Sequence, residues 1–322
     1  MGERPIFNIA YDELMQLRGT PGTGLILGRN GSMMLYAISL LALVSGCTQF
    51  QLLDATIPRW GSARWTNLAY GPLARQKLDV YRPHGVSSGA SVVIFFYGGD
   101  WQRGSKDGYR FVAQALTSQG FVAVLPDYRL YPDVTFPAFV EDGALAVRWV
   151  HDHAQQIGGD PAHIYLMGHS AGAHIVGLLT LDDHYLKNVG LDRDAVRAAV
   201  GLSGPYDFVP PPDDRGVFGM GRSSTQPDAQ IEPIHFVDGH EPPMLLIQGE
   251  RDTTVKPSNS IKLAARIRAA GGDVQLILYP KVDHVGVVFA LAWPFRWIAP
   301  TLRDATGFIR SQDKFDRDAV SR

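Results

Sequence analysis

The sequence predicts one α/β domain, a mostly parallel sheet buried between helices, behind a short export segment. Three observations carry this reading. Short, near-continuous apolar runs recur from about residue 75 onward, the pattern of strands covered on both faces. Segments with helical apolar spacing alternate with them, as crossovers between parallel strands require. With 322 residues, 45% hydrophobic and 19% charged, the chain can bury one large core.

The first 46 residues read as an address. Met33 to Val44 is an uncharged apolar run preceded by Arg29; it has the length of a signal-peptide h-region and falls short of the roughly 20 apolar residues that a spanning helix needs. It leads into Val44-Ser-Gly-Cys47, which resembles the bacterial lipobox, with Cys47 as the lipidated first residue of the mature chain. Cys47 is the only cysteine, so no intramolecular disulfide can form. The expectation is an export segment over 1–46, with the start at Met33 or Met34 equally open, and a domain over 47–322 held on the periplasmic side of a bacterial membrane.

The elements then follow in order. Lys77 to Tyr81 alternates as a half-buried strand, and Ser91 to Tyr97 is a fully buried one. A helix is expected near Tyr109 to Ser118, a strand at Phe121 to Leu125, and a helix from Ala138 to about Gln156 with Phe139, Ala144, Val147 and Val150 on one face. His163 to Met167 is the next strand, running into a helix that opens at Ser170. Ala198 to Leu202, Met244 to Ile247 and Val274 to Leu278 complete the strands, with a helix at Ser258 to Ala270 between the last two. Residues 204–242, rich in proline and aspartate, form the one long irregular segment and read as a lid or binding loop. The polar end, Ser311 to Arg322, is expected to fray.

A formal charge of -2 with scattered basic residues removes the electrostatic footprint that nucleic-acid binding needs. No His-Glu-x-x-His or similar ligand cluster appears, and the chemistry argued below requires neither metal nor cofactor.

That chemistry centres on Met167-Gly-His-Ser-Ala-Gly172. Gly168 and Gly172 flank Ser170 at the spacing of a nucleophile elbow, where a strand turns so sharply into a helix that larger residues at either glycine would collide. A serine hydroxyl needs a base, and the base an orienting acid. In this topology they follow in the order acid, then histidine, each beyond a later strand. Asp252 ends the loop after Met244 to Ile247, and His284 ends the loop after Val274 to Leu278. Glu250 and Asp283 are the competing acids. The strand Ser91 to Tyr97 runs into Gly98-Gly-Asp-Trp101, where bare backbone suits amides turned toward a developing oxyanion. Gly98, Gly99 and Asp100 are the candidate donors there, Gly99 and Asp100 foremost, with Ala171 as the donor following the nucleophile. Trp101, Tyr131, Phe208, Phe218 and Trp293 are aromatic candidates for the substrate mouth.

Taken with Asp127-Tyr-Arg-Leu-Tyr-Pro132, these motifs resemble the α/β-hydrolase carboxylesterases of the bacterial feruloyl-esterase-like group, which are related to the hormone-sensitive-lipase branch and to kynurenine formamidases. The resemblance covers about residues 70 to 310. It implies the α/β-hydrolase fold and hydrolysis of small-molecule esters, short-chain or aromatic, by two-step acyl transfer. An aryl formamidase with the same triad and a non-catalytic surface-binding lipoprotein are the alternatives. In the relatives, histidine usually stands where Tyr97 is, so the loop must be braced differently here. The resemblance also implies that Asp127 and Arg129 support the oxyanion loop. The side chain of Asp100 should turn away from the oxyanion, toward Arg103 or Lys106.

Overall fold

The apolar runs do become the central layers of a sheet. The computed structural model describes residues 49–56, 62–220 and 230–320. The export segment, Cys47 and residues 221–229 of the irregular segment lie outside the described residues.

The described elements are α1 (Gln49–Thr56), β1 (Ser62–Ala69), β2 (Lys77–Pro83), β3 (Ala90–Phe96), α2 (Arg110–Thr117), β4 (Val122–Pro126), α3 (Ala138–His153), β5 (Gly159–His169), α4 (Ala171–Leu181), α5 (His184–Asn188), β6 (Ala198–Leu202), β7 (Met244–Gly249), α6 (Ser258–Ala270), β8 (Val274–Tyr279), α7 (His284–Phe289) and α8 (Thr301–Val320). The sheet has eight strands in the order β1-β2-β4-β3-β5-β6-β7-β8. Only β1 with β2 and β2 with β4 pair antiparallel; from β4 to β8 every pairing is parallel. Val92 to Phe96 in β3 are fully buried, as are all of β6 and β7. Helices on both faces exclude water from these strands, which explains the absence of alternation in their sequences.

β3 lies between β4 and β5, so the chain leaves it in one direction and returns across it in the other. At such a reversal the loops beyond the strand ends part and leave a crevice. The loop after β3 and the turn after β5 both open there, because Phe96 pairs with Gly168 at the ends of the two strands. Beneath it runs α4, whose eleven residues are all buried. Its small and apolar sequence carries no polar face because none meets solvent.

Three regions differ from what the sequence pattern suggests. β1 bears no apolar alternation: its residues are mostly exposed at the sheet edge, where Arg64 pairs with Asp79 at 2.9 Å. The C-terminal end does not fray at Ser311, because α8 runs on to Val320. Leu302, Ala305, Phe308 and Ile309 of that helix are buried, and Asp313 accepts hydrogen bonds from Tyr165 at 2.5 Å and Ser91 at 3.0 Å. The described parts of the irregular segment are anchored in the core by Tyr206, Val217, Phe218 and Ile231. Two short helical turns, Arg215–Phe218 and Pro233–Phe236, shape it.

Candidate active site

Ser170 sits between β5 and α4 with φ of 55° and ψ of -123°, a backbone state that non-glycine residues avoid unless their surroundings enforce it. The enforcement is visible in the two glycines. A β-carbon on Gly168 would lie 2.4 Å from the Gly172 carbonyl oxygen, and one on Gly172 would lie 2.1 Å from that of Phe96. The serine is thus held at the crevice by a turn that no larger residue could close.

His284 is the first residue of α7, one step beyond the loop expected for it. Asp283 caps that helix by accepting from the Gly286 amide at 2.7 Å. The His284 ring bridges two partners: Nε2 lies 2.9 Å from Ser170 Oγ, and Nδ1 lies 2.7 Å from Asp252 Oδ2. A carboxylate only accepts, so Nδ1 carries the proton and Nε2 is free to accept from the serine hydroxyl. Of the competing acids, Glu250 and Asp283 are both exposed, whereas the Asp252 side chain is fully buried. Burial opposes its ionisation, but the hydrogen bond and charge of His284 and the amides of Val255 and Thr254 outweigh that and hold its carboxyl below the usual range. Gln248, buried on β7, donates to the same Asp252 oxygen at 2.9 Å and accepts from Ser260 at 3.0 Å. No motif pointed to Gln248. Its only signal is a polar residue in an otherwise apolar strand.

The Gly98–Trp101 loop closes the other side of the crevice. A β-carbon on Gly98 would stand 2.9 Å from Ser170 Cβ, and one on Gly99 only 2.1 Å from the Arg103 carbonyl oxygen. Gly99 has φ of 138°, and Asp100 and Trp101 follow in the left-handed region at 55° and 57°. Among the described residues, no acceptor takes the amide protons of Gly99 or Asp100. Asp100 pairs with Arg103, one of its two expected partners. The other, Lys106, is committed to Asp79 and Asp107.

Tyr97 is fully buried, its ring stacked between Tyr128 at 4.6 Å and Tyr109 at 5.5 Å. Its hydroxyl donates to Asp127 Oδ1 and accepts from Arg75, each at 3.0 Å. Burial, reinforced by the Asp127 charge, raises the tyrosine pKa well above its ordinary value. Asp127 also takes the Lys106 amide at 2.8 Å, so it supports the loop as expected. Arg129 does not. It pairs with the fully buried Asp142 at 2.9 Å, a charge that would otherwise stand uncompensated. Arg75, from the β1–β2 connection, binds the Gly104 carbonyl at 2.5 Å and that of Tyr128 at 2.6 Å and takes the role expected of Arg129.

Of the aromatic candidates, Trp101, Phe208 and Phe218 come together: Trp101 lies 6.0 Å from Phe208 and 4.9 Å from Phe218, ring centre to ring centre. Tyr131 joins through its amide, which donates to the Trp101 carbonyl at 2.9 Å. Trp293 stands apart, 65% exposed and with no ring contact among the described residues. Two buried histidines belong to this region as well. His174, one turn beyond Ser170, packs edge-on against Trp101 at 5.1 Å and donates through Nε2 to the Ile231 carbonyl at 2.6 Å. His169 donates through Nε2 to the His284 carbonyl at 2.9 Å. Burial lowers their pKa values to about 4 and about 3, assisted at His169 by the neighbouring His284.

The arrangement can draw a proton from a serine hydroxyl toward a polarised imidazole, next to unpartnered amides. Known proteins share its frame. Esterase B of Lactobacillus rhamnosis, in a phosphonate-inhibited crystal structure, superimposes with a TM-score of 0.73 at 21% identity, covering 91% of this chain and 99% of that one. A truncated carbohydrate esterase from gut microbiota gives 0.68 at 24% identity, covering 79% and 97%. Esterase LipC of Mycobacterium tuberculosis is 32% identical over 234 residues, 67% of this chain and 58% of LipC. Isoprenylcysteine alpha-carbonyl methylesterase ICME of Arabidopsis thaliana is 28% identical over 237 residues, 68% and 56% of the two chains. The chain spans about half the length of the curated relatives it matches. Residues 78–267, from β2 to within α6, match the BD-FAE family, and with the sheet order and serine turn described above this chain, of α/β-hydrolase fold, belongs to that family.

Proposed function

We propose that this protein hydrolyses carboxylic esters through an acyl-enzyme intermediate. The observation that carries the reading is the unbroken hydrogen-bonded chain from Ser170 Oγ through His284 to Asp252. Ser170 attacks the ester carbonyl while His284 Nε2 takes its proton; the ionised Asp252 holds the Nδ1–H tautomer and stabilises the imidazolium. The amides of Gly99, Asp100 and Ala171, with Gly98 shaping the approach, receive the negative charge on the former carbonyl oxygen. The same imidazolium protonates the departing alcohol, and water, activated in turn by His284, releases the acid. The esterase names of the sequence relatives support this class of reaction.

Short-chain or aromatic acyl groups are the substrates we propose, with the ring cluster of Trp101, Phe208 and Phe218 beside the oxyanion loop as the candidate acyl contact. Export and lipidation at Cys47 belong to the same proposal and rest on the sequence motif alone. The test is hydrolysis of p-nitrophenyl acetate, butyrate and decanoate, with labelling by a fluorophosphonate. Ser170-dependent turnover that favours the shorter esters is expected. Absence of both turnover and labelling would overturn the reading in favour of a binding module on a hydrolase fold. Cys47→Ala should release the protein from the membrane fraction; retention there would overturn the lipidation.

A further inference from the structure

The two most exposed large apolar side chains among the described residues are Trp293 at 65% and Trp297 at 81%. They stand four positions apart in the turn between α7 and α8, with exposed Arg296 between them. The Trp297 indole is fixed to that turn by a hydrogen bond from Nε1 to the Pro294 carbonyl at 3.1 Å. Beside them runs a groove of about 450 Å³ with Arg296, Arg303 and Arg310 along it and Pro300 and Leu302 in its lining; no acidic residue lines it. Arg303 and Arg310 lie seven positions apart and both are exposed, on the outer face of α8; one Arg310 nitrogen donates to the Gln119 carbonyl at 2.9 Å and to the Gln119 side-chain oxygen at 3.1 Å, and the guanidinium lies over the Phe121 ring at 5.5 Å. Asp304, next to Arg303 in the chain, is engaged by Arg303 at 2.9 Å and by the Tyr279 hydroxyl at 2.9 Å.

Exposed indoles flanked by guanidinium groups combine two chemistries. Tryptophan settles at the boundary between hydrocarbon and water, and arginine pairs with phosphate in two parallel hydrogen bonds. We propose that this surface docks on an anionic phospholipid membrane, the two tryptophans entering the headgroup layer and the three arginines meeting lipid phosphates. The inference goes beyond ester hydrolysis and needs none of its residues. Charge complementarity argues for this occupant, since three guanidinium groups line the groove and no acidic residue does. Phe289 packs edge-on against Phe50 of α1 at 5.2 Å and stacks on Phe295, within the same turn, at 5.8 Å. These contacts hold in place the turn that carries the two tryptophans.

The test uses the full chain, sedimented with neutral phosphatidylcholine vesicles and with vesicles containing about a third phosphatidylglycerol at about 0.1 M salt. Any contribution of the N-terminal apolar segment is common to both. Partitioning should be at least about tenfold stronger on the anionic vesicles and should fall steeply as salt is raised. Arg296→Gln combined with Arg303→Gln should weaken it about 25-fold, and Trp297→Ala should weaken it on both kinds of vesicle. In all these variants p-nitrophenyl ester turnover in vesicle-free solution should stay as in the wild type, so a failure here is distinguishable from a failure of the esterase reading. Equal binding to both vesicles, unchanged binding by the arginine variants, or complete competition by millimolar glycerol phosphate would overturn the proposal, the last by making the groove a site for small anions.

Discussion

Gly98 stands so close to Ser170 that a β-carbon placed on it would come within 2.9 Å of the serine Cβ, 3.0 Å of His169 Nδ1 and 3.1 Å of the His169 carbonyl oxygen. The loop after β3 and the turn after β5 are therefore fitted to each other at the level of single atoms. Gly98→Ala must displace one of them, and misplacement on the ångström scale costs roughly 100-fold in rate. The expected outcome is a kcat/KM about 100-fold below wild type for p-nitrophenyl butyrate. A value within threefold would show that the loop does not act on the reacting carbonyl.

Ser170→Ala removes the proposed nucleophile and little else, since the serine side chain has His284 as its hydrogen-bond partner. Turnover should vanish while the thermal midpoint stays near wild type. Residual activity within tenfold would contradict the nucleophile assignment.

Asp252→Asn keeps the shape of the acid but offers an amide where His284 needs an acceptor, which favours the wrong tautomer. A fall in kcat of about 10⁴-fold is expected, with the fold intact by circular dichroism. Glu250→Gln, at an exposed position, should change kcat by less than about twofold. If the two variants behaved in reverse, the acid would have to be reassigned.

Tyr97→Phe deletes a hydroxyl shared by Arg75 and Asp127 in a fully buried setting. Leaving both partners short of a hydrogen bond costs about 1–3 kcal/mol, or a thermal midpoint lower by roughly 2–5 °C in a domain of this size. Calorimetry that found no shift would mean that water replaces the hydroxyl and that the stacked tyrosines alone brace the loop.

His169 and His174 make stability depend on pH in a defined direction. Their folded-state values, about 3 and about 4, lie below the ordinary histidine value of 6.5. As the pH falls below about 6.5, the unfolded chain binds protons that the folded chain refuses, so stability is lost on acidification down to the folded values. Each histidine contributes a slope of up to about 1.4 kcal/mol per pH unit. Denaturant unfolding between pH 7 and 4.5 should show a decline that is shallower in His174→Gln. An identical slope in that variant would mean that His174 takes up its proton over the same pH range in the folded and unfolded chains.

Much of this molecule was legible before its structure was known. The buried strands announced themselves through unbroken apolar runs, and the elbow through two glycines at fixed distance from a serine, because backbone sterics act over a few residues and leave a local mark. The order serine, acid, histidine followed from topology. The unreadable part was the long-range pairing of polar groups. Nothing near Arg129 says that Asp142 will claim it, nothing near Arg75 says that it will reach Tyr97, and Gln248 carries no motif at all. A buried charge takes whichever partner the fold brings within hydrogen-bond reach, and those partners are separated by 13 to 22 residues or more.

The sequence by itself determined the layered α/β architecture, the strained serine turn and the residue types able to complete a proton relay, since apolar periodicity and glycine sterics are local. Only the tertiary structure decided that Asp252 rather than Glu250 or Asp283 faces His284, that Arg75 and Asp127 hold Tyr97, and that Trp293 is left exposed outside the ring cluster of Trp101, Phe208 and Phe218. These are choices among chemically equivalent groups, and distance in three dimensions makes them.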